Sequence, residues 1–419
     1  MKLKSSHITT LDIGSSKICA LVAEIDEVTK QPKILGFGLA PSRGIRKGAV
    51  IDVEKATLSI NEAVSRAEET SGRTVTRCYV SISGDHIRGI NTVGRISLLR
   101  DSRNGNGEVR EIEQADVDQV LEHTRAIPMP MDREILHVIP QEFIIDEQSG
   151  VQNPCNLSGR RLEARVHLTT YSTTAAANIT RCLHNINLEV ESYVLQSLAS
   201  AYSVLEKDEK ELGTILLDFG SDMINVVVYH RGHVYHTGVV NYGSSSITYD
   251  LAYLLRIPLD MAEKLKKEHG FATTSQTDDA AHFNIEKFGG GQTREIPLRL
   301  IASYIEPRME EILTEACYEA RKADVPANQK LAVVLTGGGS LLKGSCELAE
   351  TFFQSSARIG YPGGYLGYEE DLHDPSFAAA IGLLKYAIDE KDKQTQGERP
   401  DGPFGRLSAW IKNAVENIM

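Results

Sequence analysis

The sequence lacks the features that would tie it to an oxidising compartment, a zinc site or a bilayer span. Its 6 cysteines, Cys19, Cys78, Cys155, Cys182, Cys317 and Cys346, are scattered, and no two form a Cys-x-x-Cys pair. That fits reduced thiols in a cytoplasm and excludes a disulfide framework. A basic excess is missing too. The formal net charge is −12, which argues against nucleic acid as a general partner, because phosphate binding needs a basic footprint. No long apolar run occurs: Ile8–Val22 is interrupted by Asp12 and Lys17, and Met1–Thr10 is polar. Neither a spanning helix nor a signal-peptide core is therefore expected. His230, His233 and His236 cluster in sequence, but Arg231-Gly232 between them reads as a hairpin turn. Residues 233 and 236 then point to opposite faces of a strand, so no metal site is assigned there. No Ser/His/Asp or Cys/His spacing supports nucleophilic catalysis. What remains is a chain of 419 residues, 41% hydrophobic and 24% charged, with the composition of a soluble globular protein of two or more cores.

One strand–turn–strand unit occurs twice. Leu11-Asp12-Ile13-Gly14-Ser15-Ser16-Lys17-Ile18 runs on to Val22, and Leu217-Asp218-Phe219-Gly220-Ser221-Asp222-Met223-Ile224 runs on to Val228. Each copy reads as a buried strand ending in Asp, a Gly-containing turn and a second apolar strand. Such a turn presents backbone N–H groups to an anion, and Asp12 or Asp218 can hold a hydrated divalent cation. One copy alone reads equally as an ordinary hairpin. Two in register point to a pair that grips one polyphosphate–Mg²⁺ from both sides.

Between and after these units the spacing predicts a helix over 53–70, a strand over 78–84, and a separate small domain over 85–166 with three strands and a helix near 112–126. Helices follow over 171–184 and 192–205, then one that Asn241–Thr248 leads into and that runs through Leu255, then over 261–269 and over 299–320. Phe271–Gly291 is polar and Gly-rich. Leu331–Leu335 is an apolar strand that runs into Thr336-Gly337-Gly338-Gly339. A triple Gly there lets a flat group approach the backbone, although a plain strand-to-helix turn needs the same residues. Glu263, Lys266 and Lys267 share one helix side and can reach ribose hydroxyls and a phosphate. A solvated charged face is the simpler alternative. A final helix is expected over 375–388.

Residues 389–403 have almost no apolar side chains and read as a linker. Beyond it Phe404, Leu407, Trp410, Ile411 and Ile418 fall on one helical stripe that contains the only Trp of the chain. At about 1.5 Å per residue this segment is about 24 Å long, short of the roughly 30 Å hydrocarbon core. It is expected to lie in the membrane interface, driven by apolar burial. Docking on the protein's own core or on a partner is the alternative.

Taken in order, these stretches resemble the actin/Hsp70/sugar-kinase superfamily. Its first phosphate loop matches Asp12–Lys17, its second Asp218–Asn225, its adenosine motif Val334–Gly339, and its connecting helices Gln196–Leu205 and Asp374–Leu383. Within it the chain resembles the FtsA family of bacterial cell-division proteins. That likeness is carried by Pro41-Ser42-Arg43-Gly44, His137-Val138-Ile139-Pro140-Gln141-Glu142-Phe143, Asn153-Pro154, Leu157-Ser158-Gly159 and Ile305-Glu306-Pro307-Arg308. The resemblance implies an α/β, actin-like two-lobed fold with a duplicated core, an inserted FtsA-type small domain and a C-terminal amphipathic helix. Subdomain 1A would comprise 1–84, 167–206 and 361–388, the insert (1C) 85–166, subdomain 2A 207–240 with 301–360, and subdomain 2B 241–300.

The resemblance further implies ATP and Mg²⁺ held between the lobes by Asp12, Gly14, Ser15, Ser16, Lys17, Asp218, Gly220, Ser221, Asp222, Gly243, Ser244, Glu263, Lys266, Lys267 and Gly337–Gly339, with the metal at Asp12 and Asp218. It implies actin-like self-polymerisation and capture of the C-terminal tail of FtsZ by a subdomain containing Arg299 and Arg308. Other division proteins would be met through 85–166. Lipid binding by the tail would place the chain peripherally on the cytoplasmic face of the inner membrane at midcell, where it tethers the FtsZ ring. The second phosphate loop departs from the family pattern of Asp, apolar, Gly, Gly, Gly, Thr, Thr, Asp: Asp222 stands for a Gly and Asn225 for the last Asp. A carboxylate beside phosphate is repulsive unless Mg²⁺ intervenes, so ATP hydrolysis is expected to be slow or absent. An actin-fold kinase and an actin-fold pilus-assembly protein are the alternatives, and neither is expected to carry the linker and anchor helix.

Overall fold

The structure is a computed structural model, and it describes residues 7–26, 28–98, 109–277, 282–286, 293–326 and 329–395. Two five-stranded sheets of the same design form its framework. The first runs Glu189–Leu195, Arg77–Ile82, Ile8–Ile13, Lys17–Ile25, Pro32–Pro41, and the second Ala357–Ile359, Ala332–Thr336, Thr214–Phe219, Ile224–His230, His233–Val240. In each, an antiparallel hairpin adjoins parallel strands, and the hairpin registers coincide. Asp12 lies opposite Cys19 and Ile13 opposite Ile18, as Asp218 lies opposite Asn225 and Phe219 opposite Ile224. The central strands Ile8–Ile13, Thr214–Phe219 and Ile224–His230 are buried at every residue. Helices on both faces demand that, which is why these strands read as continuous apolar runs instead of alternating ones.

In the first lobe the helix Val53–Ser71 covers one face, with Ala56, Ile60, Ala63, Val64 and Ala67 inward. Asp52 caps it by accepting the Lys55 N–H. The other face carries the helices Gln196–Val204 and Ala378–Thr395. Two expectations fail here. Ser192–Leu195 is strand, not helix: Val190, Tyr193 and Val194 suit a strand, and Arg77–Ile82 offers a parallel partner. The last helix also continues through Thr395, so residues 389–395 are not linker. Asp389-Glu390-Lys391-Asp392-Lys393-Gln394-Thr395 contains no Gly or Pro and extends a helix whose preceding turns are buried. The start differs as well, because Pro375–Phe377 forms a 3₁₀ turn before it.

The chain leaves the first lobe after Ile82 and builds a four-stranded antiparallel sheet, ordered Gln148–Val151, Arg133–Ile145, Arg161–Ser172, Arg88–Ser97, with the helix Gln114–Arg125 packed on it. This insert leans on the edge strand His233–Val240 of the second lobe. Asn91 and Gln141 donate to the carbonyls of Tyr235 and Val234 at 3.2 and 2.9 Å, and His167 meets the Thr237 hydroxyl at 2.8 Å. A sheet edge that would otherwise offer free backbone groups is thereby covered. An apolar cluster containing Ile87, Ile139, Leu198, Leu216, Val227 and Val234 joins insert and both lobes. The second lobe is completed by the helices Ser244–Leu255, Leu259–His269 and Leu298–Arg321. The polar stretch 271–291 contributes an unforeseen strand, His282–Glu286, which pairs with Thr293–Pro297.

Candidate functional site

The two Gly turns face one another across a cleft of about 520 Å³. Their geometry is alike. The Gly14 N–H donates to the Lys17 carbonyl at 3.1 Å and the Gly220 N–H to the Met223 carbonyl at 3.0 Å. A Cβ on either glycine would sit within 2.9 Å of the same carbonyl. Each turn follows a buried carboxylate. Asp12 is 5% and Asp218 4% exposed. Asp12 accepts from the Ser81 hydroxyl at 2.6 Å and Asp218 from that of Ser200 at 2.8 Å. Burial raises the Asp12 carboxyl above its usual range, opposed by Ser81 and Lys17. Burial pushes Asp218 up to about 7, Asp12 adding to the rise and Ser200 opposing it. Two dehydrated carboxylates in one space are a donor set that a hard divalent cation satisfies. The residues fit Mg²⁺.

Lys17 is held back from solvent. Its Nζ donates to the Ser376 hydroxyl at 2.7 Å and lies 3.4 Å from the Phe377 ring centroid. Burial lowers its pKa while Cys19, Asp12, Asp374 and Asp218 pull the other way. The triple Gly closes the cleft floor. Gly337 has φ +78°, and a Cβ there would fall 2.5 Å from Asp218 Oδ1, while one on Gly339 would strike the Phe219 ring. Gly338 faces only Ser376 Cβ, at 3.5 Å. Two of the three glycines are thus required by packing on the second turn, and one is open to the cleft.

On the opposite wall Glu263, Lys266 and Lys267 form a network. Lys266 Nζ meets Glu263 at 2.7 Å, the Ser244 carbonyl at 3.0 Å and the Thr248 hydroxyl at 2.9 Å, and Lys267 meets Glu263 at 3.3 Å. Burial raises the Glu263 carboxyl, but Lys266, Thr248 and Lys267 together hold it below its usual value. Lys266 is only 7% exposed and is no solvated surface charge, whereas the Lys267 side chain is exposed.

Every sequence-assigned residue of this set lines the cleft except Gly243. Gly243 sits behind it, where a Cβ would lie 2.3 Å from the Ser221 carbonyl, and so permits the helix Ser244–Leu255 to start against the second turn. Asp222 does line the cleft, yet its carboxylate is engaged by the Lys47 N–H at 3.2 Å and the Ser245 hydroxyl at 3.1 Å. Asn225 accepts from the Ser83 hydroxyl. Ser81, Ser83, Ser200, Gly48 and Ser376 carry no sequence assignment: each is one small residue that acts through a single hydroxyl or a close approach, which no local pattern marks.

The other assigned residues lie elsewhere. Arg308 occupies a shallow groove of about 290 Å³ with Asp250, Leu254, Tyr304 and Pro307. Its guanidinium already pairs with Asp250 at 2.6 and 3.1 Å and with Glu311. Arg299 is exposed near the start of the same helix and does not line that groove. His236 pairs with Glu319 at 2.9 Å. Phe404, Leu407, Trp410, Ile411 and Ile418 lie outside the described residues. Among the described residues no helix is long and apolar enough to cross a membrane.

Comparison with known proteins gives two kinds of likeness. The family model for "Cell division protein FtsA" matches residues 215–382, and that for the "SHS2 domain inserted in FTSA" matches residues 84–170. The chain is 37% identical to the cell division protein FtsA of Borreliella burgdorferi, covering 96% of this chain and 98% of that one. It is 34% identical to that of Pseudomonas aeruginosa, covering 97% of each, and 32% identical to that of Escherichia coli K12, again 97% of each. Among solved structures, a PilM–PilN type IV pilus biogenesis complex matches with TM-score 0.66 at 16% identity, over 92% of this chain and 99% of that one. MreB5 of Spiroplasma citri bound to ADP matches with TM-score 0.56 at 11% identity, over 95% and 100%. These structural likenesses establish an actin-like fold with an inserted small domain, and at such identities the fold alone.

Proposed function

The chain belongs to the family of the cell division protein FtsA, and from that premise we propose that it is an ATP-binding tether that holds FtsZ filaments at the membrane. An actin-like protein of cell division is the common ground of its relatives. The specific reading is supported above all by two hairpins of identical register that aim Gly turns and buried carboxylates into one cleft. With the Gly14 and Gly220 N–H groups closing their own turns, the backbone N–H groups of Ser15, Ser16 and Ser221 take the phosphates, and Lys17 swings from Ser376 to neutralise them. Asp12 and Asp218 hold Mg²⁺, which offsets phosphate charge when bound. Glu263 and Lys267 face the ribose, Lys266 fixes their helix to Ser244, and Gly338 admits the flat base. With the neutral Asn225 tied to Ser83, no carboxylate stands at that position to orient water, so hydrolysis of bound ATP is slow or absent.

In this reading the loaded chain polymerises. The surface around Arg299 and Arg308 takes the FtsZ tail, with Arg308 exchanging Asp250 for a tail carboxylate, and the insert meets other division proteins. The stripe from Phe404 to Ile418 lies in the cytoplasmic leaflet of the inner membrane at midcell. The pilus-assembly and kinase alternatives rest on fold likeness alone. Two measurements test the proposal. Isothermal titration should give Mg²⁺-dependent ATP binding that Asp12→Asn and Lys17→Ala each weaken at least tenfold. Liposome co-sedimentation should pellet the full chain but not Trp410→Glu or a chain cut after Thr395. Absence of ATP binding, or equal pelleting of all three proteins, overturns the corresponding half.

A further inference from the structure

Asp222 and Asn225, two of the residues at which the second phosphate loop departs from the family pattern, each make a bond to the other lobe. Asp222 Oδ2 accepts the backbone N–H of Lys47 at 3.2 Å, and its Oδ1 accepts the hydroxyl of Ser245 in its own lobe at 3.1 Å. Asn225 Oδ1 accepts the hydroxyl of Ser83, a buried residue of the first lobe. The first-lobe partners form one unit. Lys47 and Gly48 are the tip of a tight hairpin between Ile45–Arg46 and Ala49–Val50, with φ +48° and +72°, and this turn points the Lys47 N–H outward. Gly48 rests directly on Ser83, whose carbonyl would lie 2.0 Å from a Cβ at that position. Gly48, Ser83, Asp222 and Asn225 all line the cleft.

We propose that Asp222 and Asn225 form a latch that joins the two lobes across the cleft and that its opening limits the passage of nucleotide in and out. This rests on the nucleotide reading above. Lobe separation must break a charge-assisted bond from Lys47 and a buried bond from Ser83 together, since Gly48 makes their carriers move as one. Both oxygens of the Asp222 carboxylate are engaged, one by Lys47 and one by Ser245, so the charge that would repel ATP serves closure. One hydrogen bond corresponds to about a tenfold change in an opening rate.

The test uses the full chain with Asp222→Ala and, independently, Ser83→Ala. Amide hydrogen exchange without nucleotide should show the Lys47–Gly48 tip of Asp222→Ala exchanging about tenfold faster, with the buried strand Ile8–Ile13 unchanged as the fold control. Stopped-flow mixing with a fluorescent N-methylanthraniloyl ATP should show both variants binding and releasing about tenfold faster. Unchanged exchange at Lys47, or slower release with tighter binding in Asp222→Ala, overturns the latch; the latter is the signature of a purely repulsive carboxylate. Faster exchange at Lys47 in a chain that binds no nucleotide upholds the lobe-to-lobe bond and overturns the nucleotide reading instead.

Discussion

Gly337 and Gly338 are adjacent, yet the structure assigns them opposite tolerance. Gly337 combines φ +78° with a Cβ position 2.5 Å from Asp218 Oδ1, so Gly337→Ala should destabilise by about 1–3 kcal/mol and displace a carboxylate of the cleft. Gly338→Ala adds a methyl against Ser376 at ordinary contact distance and should cost far less. Urea unfolding of the two variants separates them. His137 sets an acid limit in the same way. Burial lowers its pKa to about 4, and its Nε2 must stay unprotonated to accept the Leu195 N–H at 3.0 Å. Between the ordinary 6.5 and about 4 the unfolded chain binds a proton that the native one does not. Stability therefore rises with pH across that window and is lost as pH falls through it, by about 1.4 kcal/mol per unit for one group. His167, which burial and then His236 lower to about 3, adds to the slope. His137→Gln keeps an acceptor without titrating, so its stability between pH 6.5 and 4.5 should fall by one proton less. Equal slopes in variant and wild type would refute this assignment.

At the scale of elements, one close helix contact sits beneath the first sheet. A Cβ at Gly382 would fall 1.6 Å from the Ala199 carbonyl, so the helices Gln196–Val204 and Ala378–Thr395 touch backbone to backbone there. Gly382→Ala must push them apart and should cost about 1–3 kcal/mol or more, read as a lowered urea midpoint. This contact was invisible in the sequence, because it pairs residues far apart in the chain. The two Gly hairpins were legible, since apolar runs bounded by Asp and Gly define them locally. The strand Glu189–Leu195 was not, because Val190, Tyr193 and Val194 satisfy helix and strand spacing alike and the unpaired side of Arg77–Ile82 decides between them. Residues 389–395 misled through polarity, which marks solvent exposure and not the absence of a helix. In the cleft, the backbone-defined turns were readable, whereas Ser81, Ser200 and Ser376 act through single hydroxyls that no local pattern announces.

For the whole molecule, the duplicated sheets make one ligand a bridge between two separately cored lobes. Anything that binds both halves of the cleft and not the unfolded chain raises stability by mass action. ATP with Mg²⁺ at a hundred times its Kd should add about 2.7 kcal/mol. Differential scanning fluorimetry should show that rise in Tm, its reversal by a chelator, and its loss in Asp218→Asn. A Tm indifferent to ATP and Mg²⁺ would remove the bridge.

The helix Ala378–Thr395 also bears on how the molecule is made. Phe377, Ala380, Ile381, Leu384 and Ile388 complete a core with Ile8, Leu21 and Tyr79, residues that a ribosome delivers long before them. The first lobe therefore cannot close while the chain is being synthesised. Its early strands leave the exit tunnel with one apolar face uncovered and wait for a helix that follows far later in the chain. Such a nascent chain is a natural client for holding chaperones, and premature termination anywhere before this helix leaves both ends of the lobe unpaired, a product fit for proteolysis and not for partial function.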